Sequence, residues 1–254
     1  MSPLRKRPLI NLNSGNPVNY HLLSLHSIMI SKENILYTDD YLVVINKPPG
    51  IPIHKNEHMP HDADYVVKSL GELTEKSIYG VHRLDAKTSG IMVFAFDPGT
   101  AEKLSAQFRG RDIKKTYHAL VYGKPDDEGV FDFPVKDKSR RKKFSAITKF
   151  KTLDSKTYDF PYHNKEQCEI TLVEVYPETG KYHQIRQHFG LKRHYILGDG
   201  QHGNRQLNKL LQEKLGLIRM MLHASEIGFK HPETNETQTF KCILSDEFER
   251  IMKL

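Results

Sequence analysis

The sequence predicts one α+β domain built on a large mixed or antiparallel β-sheet with flanking helices. Three observations carry that expectation. Short segments with period-two hydrophobic alternation recur along the chain between Gly, Pro, Asn and Asp turn signals. Helical patterning is confined to five short stretches. After residue 34 there is no internal repeat and no interdomain linker, although 254 residues by length alone leave one or two domains open.

Residues 1–30 lack sustained periodicity and carry Pro3, Pro8, Gly15 and Pro17, so they read as disordered or as sequence upstream of a start at Met29. The domain is therefore placed at 31–254. Ile35-Leu36-Tyr37, an Asp39-Asp40 turn and Tyr41–Ile45 form a hairpin, which Asn46-Lys47-Pro48-Pro49-Gly50 ends because proline cannot donate to a ladder. A short helix is expected over 63–70. Ile91–Phe96 is an apolar run of strand length, read as a buried strand. Thr100 is placed as the cap of a helix with Ala101, Leu104 and Phe108 on one face. Thr116–Tyr122 alternates as a strand with Tyr117, Ala119 and Val121 on one side. Phe144–Leu153 and Cys168–Tyr176 are further strands, and a helix from Tyr182 to Phe189 follows the turn at 177–180. Residues 200–218 are helix-prone but weakly patterned. Ile227–Lys230 and Thr237–Leu244 close the sheet, and Ser245 caps a last helix with Phe248, Ile251 and Met252 inward.

Charge points to a polyanion. Thirty-eight Lys and Arg against 31 Asp and Glu leave a net +7, and residues 136–143 concentrate six bases around one acid. Phosphate contact and a solvated basic loop both fit that stretch. Two cysteines, Cys168 and Cys242, make neither a zinc spacing nor a disulfide framework, which fits a reducing cytoplasm. No apolar run approaches the ~18 residues of a membrane span. His54, His58 and His61 lie close together without a helical ligand pattern and read as an exposed loop. His183 and His188, five apart on the expected helix, do not share a face and would not chelate one ion.

One segment stands out chemically. Val81-His82-Arg83-Leu84-Asp85-Ala86-Lys87-Thr88-Ser89-Gly90-Ile91 sets a single carboxylate between a basic pair and a Thr-Ser-Gly turn, just ahead of the buried strand. Such a carboxylate either belongs to a satisfied structural network or is the reactive group of a site. Further marked segments follow or precede it: Asn46–Gly50, Lys115-Thr116-Tyr117-His118-Ala119-Leu120-Val121, Thr179-Gly180-Lys181-Tyr182-His183-Gln184-Ile185-Arg186-Gln187-His188, Gly198-Asp199-x-x-His202-Gly203 and Leu222-His223-Ala224. Together, and in this order, they resemble the motif set of the RluA-type pseudouridine synthases over residues 34–254. His202 stands where that family usually has Tyr. This His, the stretch Asn204–Asn208 and Arg219–Ser225 resemble the family's transfer-RNA branch, whose target is uridine 65 of the T-stem.

The resemblance implies the pseudouridine synthase catalytic fold around a central cleft, without the separate N-terminal RNA-binding domain of several ribosomal-RNA relatives. It implies a monomeric enzyme that isomerises uridine in tRNA, with a ribosomal-RNA uridine as the alternative. A non-catalytic RNA-binding protein on the same scaffold is a third reading, against which the intact Asp85, Tyr117 and Arg186 argue. No cofactor and no metal are implied, since the isomerisation is redox-neutral. Asp85 is the catalytic carboxylate by this resemblance, Arg186 its partner, and Tyr117 the tyrosine that meets the flipped uracil. A guanidinium favours the charged form of an adjacent carboxylate, which burial would oppose. Arg83 is the residue expected to fill the space the base vacates, a strand-end salt bridge being its other reading. The substrate-binding set is completed by His82, Thr88, Lys115, His183, Gln184, His202 and Leu222.

Overall fold

The structure is a computed structural model and describes residues 30–253 apart from 56, 58, 61 and 62. The expectation of disorder over 1–30 falls outside these residues except at Ile30, which is buried; His58 and His61 fall outside too.

In chain order, a 3-10 turn at Lys32–Asn34 leads into β1 (Ile35–Thr38), β2 (Leu42–Lys47), α1 (Val66–Thr74), β3 (Tyr79–Gly80) and β4 (Ser89–Ala95). Then come α2 (Pro98–Gly110), β5 (Lys114–Tyr122), β6 (Glu128–Asp132), β7 (Val135–Lys136), β8 (Lys143–Phe144), β9 (Ile147–Tyr158) and β10 (Cys168–Pro177). The chain closes with α3 (Gln184–Leu191), α4 (Arg205–Leu215), β11 (Leu222–Lys230), β12 (Thr237–Lys241) and α5 (Asp246–Lys253). Ten strands form one mixed sheet in the order β1-β2-β4-β11-β5-β10-β9-β6, with β3 added to β4 and β12 to β11; β7 and β8 pair apart from it. Among the described residues every strand pairing is antiparallel except β4 with β11. The α+β class with a large mixed sheet is what the alternation predicts.

The parallel pair is the seam between the two halves of the sheet, and each half is covered on both faces. In the first half Val43, Ile45, Met92 and Phe94 pack with Val66 and Leu70 of α1. Leu42, Val44, Ile91 and Val93 pack with Leu104 of α2 on the other side. That double cover explains why β4 is apolar at successive positions rather than alternate ones. In the second half Ala119, Val121, Val173 and Val175 meet Ile185 and Phe189 of α3. Leu120 and Ile170 meet Leu207, Leu211 and Leu215 of α4 and Phe248 and Ile251 of α5. Each Val, Leu, Ile, Met or Phe among these that is removed from water stabilises by about 1.5–3 kcal/mol.

At the seam the backbones approach too closely for a side chain. Gly90 has φ +113°, and a Cβ there would lie 2.2 Å from the Ala224 carbonyl oxygen.

Several boundaries differ from the sequence reading. Asp97, not Thr100, caps α2: its carboxylate accepts from the Thr100 backbone N–H at 2.9 Å, and Pro98 opens the helix. Helix α1 lies at 66–74 rather than 63–70, and α3 starts at Gln184, two residues late, because His183 has left-handed backbone. The strand expected at 144–153 is β9, which starts at Ile147 and runs on to Tyr158 through the polar residues Asp154–Thr157. Three short strands, β3, β6 and β7, have no counterpart in the sequence reading.

Candidate active site

The parallel pairing of β4 with β11 places the loop 81–88 and the start of β11 at one end of the sheet. There a cleft of about 820 Å³ opens, walled by that loop, the end of α2, β5 and the segment 177–186. The loop is braced from behind. Lys47, with no exposed surface, donates from Nζ to the carbonyls of Pro48 (2.7 Å), Ile51 (3.2 Å) and Ala86 (2.9 Å). Gly50 N–H donates to the same Ala86 carbonyl at 2.7 Å. Burial, opposed by the Asp85 charge, pushes the Lys47 ammonium down to about 7. A turn bond from Thr88 N–H to the Asp85 carbonyl (3.0 Å) completes the frame.

Asp85 projects from this frame with about a fifth of its side chain exposed. Arg186 Nη1 donates to its Oδ2 at 2.7 Å. The rest of the guanidinium is held by Asp199: Nε to Oδ2 and Nη2 to Oδ1, both 2.8 Å. Asp199 also accepts the backbone N–H groups of Gln201 (2.9 Å) and His202 (3.1 Å). Burial opposes the Arg186 charge, yet hydrogen bonding and attraction to Asp199, then to Asp85, raise its pKa above the ordinary arginine range. Burial likewise works against the Asp199 carboxylate, and the Arg186 hydrogen bonds outweigh it, leaving its pKa lowered. The bidentate pair presets the arginine, so the contact to Asp85 needs no rearrangement.

Tyr117 lines the cleft from β5, and its hydroxyl has no hydrogen-bond partner among the described residues. Burial, with the Asp85 charge adding, raises the phenol well above its usual range, so it stays protonated and can offer a donor but not a base. His183 brings Nε2 to 3.5 Å from Asp85 Oδ1 and stacks on Tyr182 at 3.7 Å between ring centroids.

The remaining expected residues divide into three groups. Arg83 is exposed at the cleft and forms no ion pair or hydrogen bond among the described residues, which removes the strand-end salt bridge. Lys115, Thr88 and Leu222 line the cleft. Burial, with Arg111 adding, lowers the Lys115 pKa. His82 and Gln184 line it as well, but their polar atoms serve the fold. His82 stacks on Phe108, accepts from Val93 N–H at 3.0 Å through Nε2, and is pushed down to about 3 by burial and then Lys115. The Gln184 amide is fully engaged by Thr179, Lys181, Ile147 and Thr148. His202 stands behind His183, its Nε2 2.9 Å from the His183 Nδ1, and does not line the cleft, whereas Gln184 does, as part of its wall. Asp199 and Lys47 do not stand out in the sequence as site residues. The available signal is a lysine ending a strand that opens on four apolar residues, and an acid between two glycines in a marked motif.

No group of three or more His, Cys, Asp or Glu among the described residues could hold a metal ion. No described helix is long and apolar enough to cross a membrane.

Asp85 thus opens onto a cleft beside a preset arginine and a protonated tyrosine. Residues 41–190 match the family model described as RNA pseudouridylate synthase, and the chain belongs to that family and is an enzyme of that class. Among curated relatives it is similar to tRNA pseudouridine synthase C of Vibrio parahaemolyticus, 34% identical over 85% of this chain and 92% of that one. It is also similar to the proteins of that name from Pasteurella multocida (35%, over 81% of this chain and 88% of that one) and Haemophilus influenzae (32%, 86% and 95%). A solved structure, human RNA pseudouridylate synthase domain containing 4, shares the fold with a TM-score of 0.66 and 28% identity, covering 86% of this chain and 91% of that chain.

Proposed function

We propose that this enzyme converts one uridine of transfer RNA, uridine 65 in the T-stem, to pseudouridine, with Asp85 as the reactive carboxylate. The observation that carries the chemistry is the Asp85–Arg186–Asp199 chain at 2.7 and 2.8 Å, facing a cleft lined by Tyr117. The names and extent of the relatives support transfer RNA as the substrate.

In the reaction the C1′–N1 bond breaks, uracil turns, and a C1′–C5 bond forms; C5 loses its proton and N1 ends with one. Atoms and electrons balance without a co-reactant. The three available routes are addition of the carboxylate to C1′, addition to the base, and removal of the 2′ proton. All three need Asp85 ionised and within reach of an extruded nucleotide. Arg186 supplies the counter-charge. Tyr117 offers its ring as a stacking face and its hydroxyl as a donor. Extrusion costs a few kcal/mol of stacking and pairing, and Arg83, unpaired at the rim, is placed to occupy the gap.

Beside the cleft, the β7–β8 hairpin is fixed to α3 by Lys136 N–H to Gln187 Oε1 and by Gln187 Nε2 to the Lys136 carbonyl, both 2.9 Å. Lys136, Lys138, Arg140, Arg141, Lys142 and Lys143 are all exposed and form no ion pair among the described residues. They suit the phosphates flanking the target.

The test is to map pseudouridines by carbodiimide primer stops in cellular RNA with and without this protein. Loss of a single T-stem site in transfer RNA supports the assignment. Loss in ribosomal RNA would transfer it there.

A further inference from the structure

We propose that His183 and His202 are positioning residues that hold the second oxygen of Asp85: His183 presents a ring N–H to Oδ1 while Arg186 holds Oδ2, and His202 dictates which His183 nitrogen carries that hydrogen. This rests on the reading of Asp85 as the reactive carboxylate.

The geometry leaves one consistent arrangement. A neutral imidazole has one donor nitrogen and one acceptor, and an ionised carboxylate only accepts. The nitrogen 3.5 Å from Asp85 Oδ1 is His183 Nε2, so the hydrogen belongs there. Nδ1 must then accept, and the atom 2.9 Å from it, His202 Nε2, must donate. Donors thus point in sequence from His202 through His183 to Asp85. The opposite tautomer would set a lone pair against a carboxylate. The charged and titratable groups acting on His183 are Asp85, Arg186, His202 and Asp199; burial outweighs them and pushes its pKa down to about 4, so the ring is neutral at neutral pH.

Two structural costs go into this arm. His183 takes left-handed backbone (φ 49°) at the start of α3, a conformation that non-glycine residues rarely adopt and that tends to cluster at functional sites. Gly190 of α3 passes so close to the 199–203 loop that a Cβ there would lie 2.6 Å from the His202 carbonyl oxygen. That loop supports both arms. Asp199 presets Arg186 for Oδ2 and, through its bond to the His202 N–H (3.1 Å), seats the histidine that orients His183 for Oδ1. With Arg186 bonded to Oδ2 and His183 facing Oδ1, rotation of the carboxylate about Cβ–Cγ is opposed and the lone pair facing the cleft is given a preferred direction.

The test compares His202→Leu and His202→Gln with wild type, by single-turnover pseudouridine formation on the RNA identified by mapping, RNA affinity, and ring-nitrogen NMR of His183. In the leucine variant the chemical rate should fall about 10- to 100-fold, with RNA Kd within about twofold of wild type. The glutamine amide N–H can replace the imidazole donor and should restore most of the rate. Wild-type His183 should carry its hydrogen on Nε2, and the leucine variant should show a mixture. A leucine variant as fast as wild type, a glutamine variant no better than leucine, or a wild-type Nδ1–H would each overturn the inference. The wild-type spectrum decides even if both variants fail to fold. A fully active Asp85→Asn enzyme would instead overturn the reading beneath it, whereas an inactive one beside an unimpaired leucine variant condemns the positioning role alone.

Discussion

Replacing Asp199 with alanine puts the two-carboxylate clamp on Arg186 to its most direct test. The Asp199 side chain accepts two charge-assisted hydrogen bonds from Arg186 and two backbone N–H groups, and it is 1% exposed. Removing it leaves a buried guanidinium, itself 5% exposed, with Asp85 as its remaining partner. Charged hydrogen bonds contribute about 1.5–3 kcal/mol each and neutral ones about 1, but relaxation and water entry return part of that sum. Breaking one side of a buried ion pair typically costs about 3–5 kcal/mol. Urea unfolding at pH 7 should therefore show a loss in that range.

The pH dependence carries the sign. The Asp199 pKa is lowered in the folded protein, so its contribution is fully present above the unfolded carboxylate value, about 3.9. It then disappears as pH falls through the folded value. The gap between wild type and Asp199→Ala should stay constant from pH 7 to about 5 and narrow in stronger acid. A loss under about 1 kcal/mol, or a gap that does not narrow in acid, would refute the argument that this ion pair is both buried and essential to the site.

Asp85→Asn should abolish pseudouridine formation while the melting profile and RNA affinity stay near wild type; measurable turnover would reject the carboxylate's role. Changing Lys138 and Lys142 to glutamine should weaken binding to RNAs of unrelated sequence alike. The slope of log K against log salt should then flatten by about 0.7–0.9 for each phosphate no longer neutralised, and an unchanged slope would leave the hairpin as solvated charge. Arg83→Ala should slow turnover on a base-paired target more than on a single-stranded one, because the residue is assigned to the vacated stack; equal slowing on both would contradict that. Chelation with EDTA should leave turnover within about twofold on prefolded RNA, since no bond change in the isomerisation calls for a Lewis acid; loss of the chemical step would argue against the mechanism.

How far the fold is legible in the sequence depends on how locally each element is specified. β4 is readable because cover by α1 on one face and α2 on the other makes Ile91–Ala95 a run of five apolar residues. α4 is only half visible: its Leu207, Leu211 and Leu215 stripe is narrow and every other position is polar or half-exposed. The start of α3 is misplaced because nothing in a sequence marks a histidine that takes left-handed backbone; its neighbours impose it. The far half of β9 carries little apolar signal, since Asp154–Thr157 are polar and pair with β10 through backbone hydrogen bonds, past a bulge at Leu172/Val173, until Tyr158 is buried again. At the site, Asp85, Arg186 and Tyr117 stand in marked motifs. The roles of His82, Gln184 and His202 do not follow from motifs, because a polar side chain near a cleft can serve either the wall or the ligand, and only its actual hydrogen-bond partners say which.

The order of amino acids alone determined which segments alternate, where the reactive carboxylate lies, which family the motifs resemble and the excess of positive charge, for these depend on residue identity and short-range spacing. Tertiary structure decided the rest. The parallel pairing of β4 with β11 joins Ser89 to His223 across 134 positions and opens the cleft at its end. Asp199 then reaches Arg186, and Arg186 reaches Asp85 across 101 positions. Burial and long-range hydrogen bonds act between residues that only the folded chain makes neighbours, so a carboxylate's partners, unlike its presence, cannot be read along the sequence.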